Sequence, residues 1–452
     1  MTKRNSPARQ PQRSSRAVAV AIVIGILTLT AVCALVLLAV DRANQPQTTK
    51  PGRDVSLRVA YSPEKAEVFV KLVDGFNATR SKVGRTRVTV EGVSLAPKDM
   101  IGLAAEGSFQ AVSPDSSIWL ADMDRAWRAK TGGQADLVGE TVRYMMSPVV
   151  IAMWTDVARG LGYPERDLGW ADVLRAAQAE PPLRWSHPST HTASGFLAAL
   201  AQFYTAAGIT RGLTEEAVRS PQVLEYVMRL ERTVRHYGEG ELQTMERVAD
   251  NGRDYLDAFV VQEQLVVRYN QKHGAALVAI YPFEGALWED HPLALLEHPG
   301  RTAEERQAFS LFRDYLLRSE SQRLILQQGY RPRDLTISLS DPESPIRSDL
   351  GVDPSQPYTT MQIPGPSVIE VVKNVWLYAK RRANIYLVAD VSSSMAGEKI
   401  ADAQTALRAF LDQIESDQER VGLIAFASDV REVEPLGQLD RSRPALEAAV
   451  GN

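Results

Sequence analysis

Only one of the 452 residues is a cysteine, Cys33. A lone thiol excludes an intramolecular disulfide and a Cys-based zinc site. Excess positive charge is also missing from most of the chain. The net charge is −4, and residues 1–16 hold Lys3, Arg4, Arg9, Arg13 and Arg16 with no acid, which leaves −9 on everything after them. A mildly acidic body argues against nonspecific nucleic-acid binding. Enzyme signatures are absent in turn. No Gly-x-x-x-x-Gly-Lys-Ser/Thr loop occurs, so nucleotide hydrolysis has no support. Ser194-Gly195 lacks the flanking glycines of a nucleophile elbow. His187 and His191 stand four apart, but Pro188 breaks any helix between them and no third ligand stands out. A polar cleft or surface role therefore fits them better than zinc. No internal repeat is visible, and no catalytic dyad, so a non-enzymatic role is expected. What is present is a globular composition, 44% hydrophobic and 23% charged, in a chain long enough for two or three domains.

Ala17 to Val40 is uncharged and largely apolar. At about 1.5 Å per residue it spans roughly 36 Å, enough for a bilayer core of about 30 Å with some tilt. The five basic residues before it place the N-terminus in the cytoplasm and everything after Asp41 outside. The run exceeds the roughly 7–15 residues of a signal-peptide core, so an uncleaved single-pass anchor at 17–40 is expected, preceded by a basic cytoplasmic segment at 1–16. Thr30-Ala31-Val32 makes a poor lipobox, which leaves Cys33 as a membrane-buried thiol. Residues 41–54, with Pro46, Pro51 and Gly52, read as a stalk.

From Val55 strands and helices alternate, the signature of an α/β fold with mainly parallel sheets. Val55–Tyr61 alternates apolar and polar residues and reads as a strand. Ser62 and Pro63 then open a helix carrying Val68, Phe69, Leu72, Val73 and Phe76 at helical spacing. Further strands are expected at Arg87–Val93, Ala111–Val112, Pro148–Trp154 and Ala276–Tyr281. Helices are expected at Lys98–Ala105, Ile118–Ala129, Trp170–Ala179, Phe196–Ala206, Glu215–Tyr237, Arg253–Arg268 and Ala303–Leu326. Glu215, Glu216 and Glu225 read as solvated helix faces. Trp119, Trp127, Trp154 and Trp170 read as core rather than a sugar-stacking platform. Six prolines between Ile337 and Ser367 break the rhythm, and Val368–Lys380 follows as an amphipathic helix.

Three serine-rich loops follow strands, at Ser62, at Ser113–Ser117 and at Ser189–Ser194. In the last two, hydroxyls and free backbone N–H groups gather at helix N-termini, a cradle for an anion or polar ligand. Together with Ser147-Pro148-Val149-Val150-Ile151-Ala152-Met153, Tyr269-Asn270, Ala279-Ile280-Tyr281-Pro282-Phe283-Glu284-Gly285, Asp290-His291-Pro292 and Gln327-Gln328-Gly329-Tyr330-Arg331-Pro332, the order of elements resembles the two-lobed extracellular solute-binding proteins of transport systems. The resemblance implies a periplasmic-binding-protein-like domain at 55–338 that holds a small solute between two α/β lobes. Ordinary helix capping, worth about 1 kcal/mol, explains Ser62 as well as ligand contact does. Ser116, Thr190 and Thr192 are placed at the cleft.

After a Pro-rich linker and helix at 339–380, Asn384–Met395 reads as an apolar strand that ends in Asp390-Val391-Ser392-Ser393-Ser394. One carboxylate and two alternate hydroxyls would aim three hard oxygen donors at one spot, suited to Mg²⁺ or Ca²⁺. The Asp-x-Ser-x-Ser motif, the stripe Ile400, Ala403, Leu407, Phe410, Leu411 and Ile414, and the second strand Val421–Ala427 resemble the von Willebrand factor A domain. The resemblance implies a Rossmann-like segment at 381–452 in which Asp390, Ser392 and Ser394 hold Mg²⁺ for a carboxylate of an extracellular protein partner. Ser393 stands where many members have glycine. The family's later threonine and aspartate ligands would fall beyond Asn452, so an incomplete domain with three of five ligand positions, weak Mg²⁺ binding and an unpaired sheet edge is expected. The whole reads as a membrane-anchored extracytoplasmic binding or adhesion protein, or alternatively a tethered solute receptor of a transport system.

Overall fold

A computed structural model describes residues 55–414 and 416–451. The basic segment, the expected anchor at 17–40 with Cys33, and the stalk at 41–54 lie outside the described residues. Among the described residues, no helix is long and apolar enough to cross a membrane.

The first lobe is a six-stranded sheet in the order β2-β3-β1-β4-β12-β5. Its strands are β1 (Val55–Tyr61), β2 (Lys82–Val83), β3 (Thr86–Ser94), β4 (Ala111–Ser113), β5 (Val138–Arg143) and β12 (Pro292–Leu296). β1 runs parallel to β3 and β4, whereas β12 lies antiparallel to β4 and β5. The helix Ala66–Ala78 lays Val68, Phe69, Leu72, Val73 and Phe76 on this sheet, as its 3.6-residue spacing predicts, together with Phe309 and Phe312 of the helix Ala303–Leu316.

The second lobe orders its strands β10-β6-β9-β7-β8, from β6 (Met145–Trp154), β7 (Trp185–Pro188), β8 (Tyr237–Gly238), β9 (Ala258–Gln262) and β10 (Leu277–Ile280). β6 is antiparallel to β9 and β10, and β7 is parallel to β9. The sheets are thus more mixed than the alternating pattern implies. The buried helix Ala193–Ala207 packs on this lobe from the end of β7. Three passes join the lobes: β5 into β6 through Tyr144, β11 (Trp288–Glu289) into β12 through Asp290 and His291, and β13 (Arg331–Pro332), which pairs with Met145 and Met146.

Several elements differ from the sequence expectation for local reasons. Pro221 splits the helix expected at Glu215–Tyr237 into Glu215–Arg219 and Pro221–Glu231, with Ser220 ending one and capping the next. The apolar run inside Arg253–Arg268 forms β9 before the helix Glu263–His273 begins. Ala303–Leu326 breaks into Ala303–Leu316 and Ser319–Gln327. The proline-rich stretch does not hang free: Ile337, Ile346 and Val352 are buried on the second lobe, and Met361 in the larger core shared by the lobes. The helix Pro366–Ala379 buries Val368, Val372 and Trp376 in that same core.

Beyond it, β14 (Asn384–Asp390), β15 (Arg420–Phe426) and β16 (Val430–Gln438) form a three-stranded sheet with β14 at its edge. β14 and β15 are parallel, and Leu387, Leu411, Val421, Leu423, Leu439, Leu446 and Val450 make a small separate core. The helix Glu398–Asp412 buries only Leu411 of its expected stripe, and Val388 on the edge strand is 59% exposed.

Gly195 sets how closely the helix Ala193–Ala207 approaches β7. A Cβ at that position would lie 2.2 Å from the Ser189 carbonyl oxygen and 2.3 Å from that of Pro188, both backbone atoms. Gly195→Ala should therefore lower unfolding free energy by about 3 kcal/mol, the upper range for overpacking. Urea denaturation checks this, and a loss under about 0.5 kcal/mol, typical of neutral surface sites, would contradict it.

Candidate functional site

The carboxyl ends of β1, β4, β7 and β9 face the boundary between the lobes, the position where open α/β sheets place ligands. The three serine-rich loops meet there, around Asp115. Ser62 Oγ accepts from the Asp115 backbone N–H at 2.9 Å. Asp115 Oδ1 accepts from the Ser116 N–H at 2.9 Å and from Trp119 Nε1 at 2.7 Å. Its other oxygen, Oδ2, crosses to the second lobe and accepts from the Ala193 N–H at 3.3 Å, at the start of the helix Ala193–Ala207. The anion position that the sequence suggests at this helix N-terminus is thus filled by a carboxylate of the chain itself.

The hydroxyls proposed for ligand contact are largely engaged. Ser116 Oγ accepts from the Ile118 N–H at 3.4 Å. Thr192 Oγ1 caps the helix by accepting from the Gly195 N–H at 3.2 Å and donates to the Ser189 carbonyl at 2.9 Å. Ser62 is fully buried and makes no side-chain cap to the turn that follows it. Thr190 is half-buried in the same loop. His187 is fully buried and faces Glu231 at 3.2 Å, inside the second lobe rather than at a cleft wall or surface. His191 is exposed.

Pattern reading missed a set of buried ionisable side chains at this boundary. Lys65, Asp115, Glu64, Glu241, Glu289, Asp290 and His291 are all less than 8% exposed. Lys65 Nζ donates to the Pro114 carbonyl at 2.6 Å and to Ser113 Oγ at 3.2 Å. Burial pushes its ammonium down to about 7 against the pull of Asp115 and Glu289. Burial likewise raises the Asp115, Glu241 and Glu289 carboxyls, and their mutual repulsion raises Glu241 and Glu289 further. Asp290 is held by Ser117, whose N–H and Oγ each donate at 2.7 Å, and by Arg143 at 2.5 Å. Glu64 and Lys65 directly follow Pro63, and Glu289 and His291 lie on a lobe-crossing pass. Their clue in the sequence is charge beside a strand end.

The second candidate site is the loop after β14. Asp390 ends the strand and its Oδ1 accepts from the Ser392 N–H at 2.8 Å. Ser392 Oγ and Ser394 Oγ are 2.9 Å apart. The Ser392 backbone N–H, and after it the Ser392 hydroxyl, hold the Asp390 carboxyl below its ordinary value. The three side chains therefore converge, and their all-oxygen donor set suits a hard divalent cation with water completing the shell. Among the described residues, no group of three or more His, Cys, Asp or Glu side chains is arranged to hold a metal. A metal at this loop would rest on hydroxyls as much as on charge.

Comparison with known proteins accords with this two-part layout. The family model of bacterial extracellular solute-binding proteins matches residues 57–331, and that of the von Willebrand factor type A domain matches 384–452. No curated protein matches the chain. An ABC transporter substrate-binding protein from Bradyrhizobium japonicum is similar over 73% of this chain and 100% of its own, with 12% identity and a TM-score of 0.51. An ABC transporter from Clostridium perfringens is similar over 72% of this chain and 98% of its own, with 11% identity and a TM-score of 0.50. At these identities the likeness is one of fold.

Burial, with Asp115 adding repulsion, pushes the Glu64 carboxyl from 4.5 up to about 7. Between those values the unfolded chain ionises while the folded chain keeps the proton, so the Glu64 contribution to stability falls as pH rises and is level again above about 7. Measured against Glu64→Gln, the wild-type unfolding free energy should drop by on the order of 3 kcal/mol between pH 4.5 and 7. Denaturation curves across that range test this, and a difference that is flat or grows with pH would refute it.

Proposed function

The chain belongs to the family of bacterial extracellular solute-binding proteins, and from that premise we propose that it is a non-enzymatic extracytoplasmic binding protein. Its two-lobed domain takes a small solute between the lobes, and its von Willebrand factor A domain recognises a protein partner. The observation that carries this reading is the convergence of strand-end loops from both lobes on Asp115, where a ligand held between the lobes would link them. Closure of two lobes on a solute bends the segments that pass between them, and the described residues make three such passes.

The partner-recognition half rests on the convergence of Asp390, Ser392 and Ser394. In this proposal the three residues hold Mg²⁺, and the ion accepts a carboxylate oxygen of the partner in an open coordination position. The apolar run at 17–40 anchors the protein in the membrane and keeps both domains outside. A second reading, a tethered receptor that delivers its solute to a transporter, is favoured by the extent of the solute-binding match over 57–331.

A thermal-unfolding screen of the full chain in detergent against amines, oxyanions, sugars and peptides tests the solute reading. A ligand at about 100 times its Kd should add about 2.7 kcal/mol of stability. A screen in which no class of solute moves the midpoint would reject a solute-binding role. For the partner reading, Mg²⁺ should promote capture of a carboxylate-presenting protein, and Asp390→Ala should abolish that dependence. Capture unaffected by chelation would reject the metal-dependent interface.

A further inference from the structure

If the cleft takes a solute, the floor between the lobes restricts its chemistry. Glu289 sits where the chain crosses from one lobe to the other, opposite Ser147 of β6. It is 0% exposed, and neither of its carboxylate oxygens has a hydrogen-bond partner in the protein. Glu64 Oε2 and Gln262 Oε1 are also buried without partners. The Gln262 amide donates through Nε2 to Glu241 Oε2 at 2.8 Å, which leaves Oε1 as the atom without a partner. Its free atom is therefore an acceptor. His291, 0% exposed, leaves both ring nitrogens unpartnered two residues beyond Glu289.

These atoms belong to one neighbourhood. The His291 ring meets Tyr330 edge-on at 5.2 Å, Tyr330 Oη donates to the Glu64 carbonyl, and Gln262 is bonded to Glu241 through both its backbone N–H and its Nε2. A chain of hydrogen bonds ties the two sides together: Ser147 Oγ to Gln264 Oε1 at 3.1 Å, Gln264 Nε2 to Tyr330 Oη at 3.0 Å, and Tyr330 Oη to the Glu64 carbonyl at 3.3 Å.

The sign of the unmet demand is clear. Four unpartnered atoms, from Glu64, Glu289 and Gln262, accept hydrogen bonds when the acids are ionised, and an incoming cation favours that ionised form. Lys65 is not free to answer them, since its Nζ is bonded to Pro114 and Ser113. An incoming oxyanion would add charge of the same sign, and the helix N-terminus that would attract it is taken by Asp115. An ammonium brings three N–H donors and the opposite charge. A bare metal ion is a poorer match, because among the described residues no three or more His, Cys, Asp or Glu side chains are arranged to ligate one.

We infer that the floor of the interlobe cleft, formed by Glu64, Gln262, Glu289 and His291, is a binding site for an organic ammonium solute and not for an oxyanion. This rests on the solute-binding reading above. These side chains are buried, so the solute enters when the lobes part about the passes through Tyr144 and through Asp290–His291.

Isothermal titration and thermal unfolding of the full chain in detergent, with putrescine, spermidine and arginine as amines and sulfate, phosphate and glucose as controls, provide the test. At least one amine should bind and raise the midpoint, with no response to sulfate or phosphate. Glu289→Gln should weaken that amine at least about tenfold while unfolding remains cooperative, the loss of one charge-assisted contact of about 1.4 kcal/mol. Glu64→Gln, on the first lobe rather than on the pass that carries Glu289, should weaken it too and serves if the first variant does not fold. Binding of sulfate, phosphate or glucose with no response to amines would overturn the ammonium site and leave the solute-binding reading standing. No response to any solute would overturn both. Amine binding that survives both substitutions unchanged would place the amine elsewhere and overturn this site.

Discussion

The carboxylate of Asp115 is the contact on which the arrangement of the lobes turns. One oxygen is satisfied within the first lobe, by the Ser116 N–H and Trp119 Nε1, and the other reaches the Ala193 N–H of the second. Because the acceptor is buried and bonded on both oxygens, a shift of the lobes that keeps the seam dry leaves an orphaned polar group, at roughly 1–3 kcal/mol, whereas parting them hands the Ala193 bond to water. The same residue explains why serine loops that look like ligand cradles are not free to act as such. Their hydroxyls and N–H groups are used to position Asp115 and to cap the turns beside it.

The framework was legible in the sequence where a single periodicity governs the residues. Val68, Phe69, Leu72, Val73 and Phe76 are buried at helical spacing, and Asp390, Ser392 and Ser394 come together at the end of a strand. The limits were also physical. Glu289 and His291 lie on a short pass whose burial comes from two lobes meeting, and no local pattern encodes that meeting. Glu64 and Lys65 look like an exposed helix start, yet tertiary packing buries both. The proline-rich stretch reads as a linker because its prolines break periodicity. Ile337, Ile346, Val352 and Met361 are nonetheless buried, since irregular backbone can pack wherever its apolar side chains find a surface.

The junction before β14 is held by polar contacts rather than by a shared core. The Arg381 N–H donates to Tyr237 Oη at 2.8 Å, and its guanidinium donates to the Val234 and Arg235 carbonyls. Tyr237 Oη in turn donates to Glu231 at 2.8 Å, and Glu231 faces His187 on β7, the strand that leads into the loop around Thr192. On the other side of the junction, Glu419 is ion-paired with Lys380 and accepts from the Ala383 N–H. Polar contacts on both sides of Arg381 therefore join β7 to the base of the terminal sheet through the backbone of residues 380–383, although their apolar cores are separate.

A fold that buries Glu64, Glu241 and Glu289 together works against its own stability, because burial and repulsion oppose the charged forms. Packing alone does not require this: buried acids with only structural roles elsewhere in the chain are fully bonded. Glu231 receives Gln202 and Tyr237, Glu263 receives Arg331 and Tyr281, and Asp257 receives Arg184. Unmet carboxylate oxygens gather instead at Glu64 and Glu289, beside His291, whose φ of +33° is itself rarely adopted by residues other than glycine. Unfavourable burial, unmet acceptors and backbone strain at one interlobe seam are the departures from local consistency that proteins keep where something must bind. The three apolar cores of the lobes supply the stability against which that seam is held.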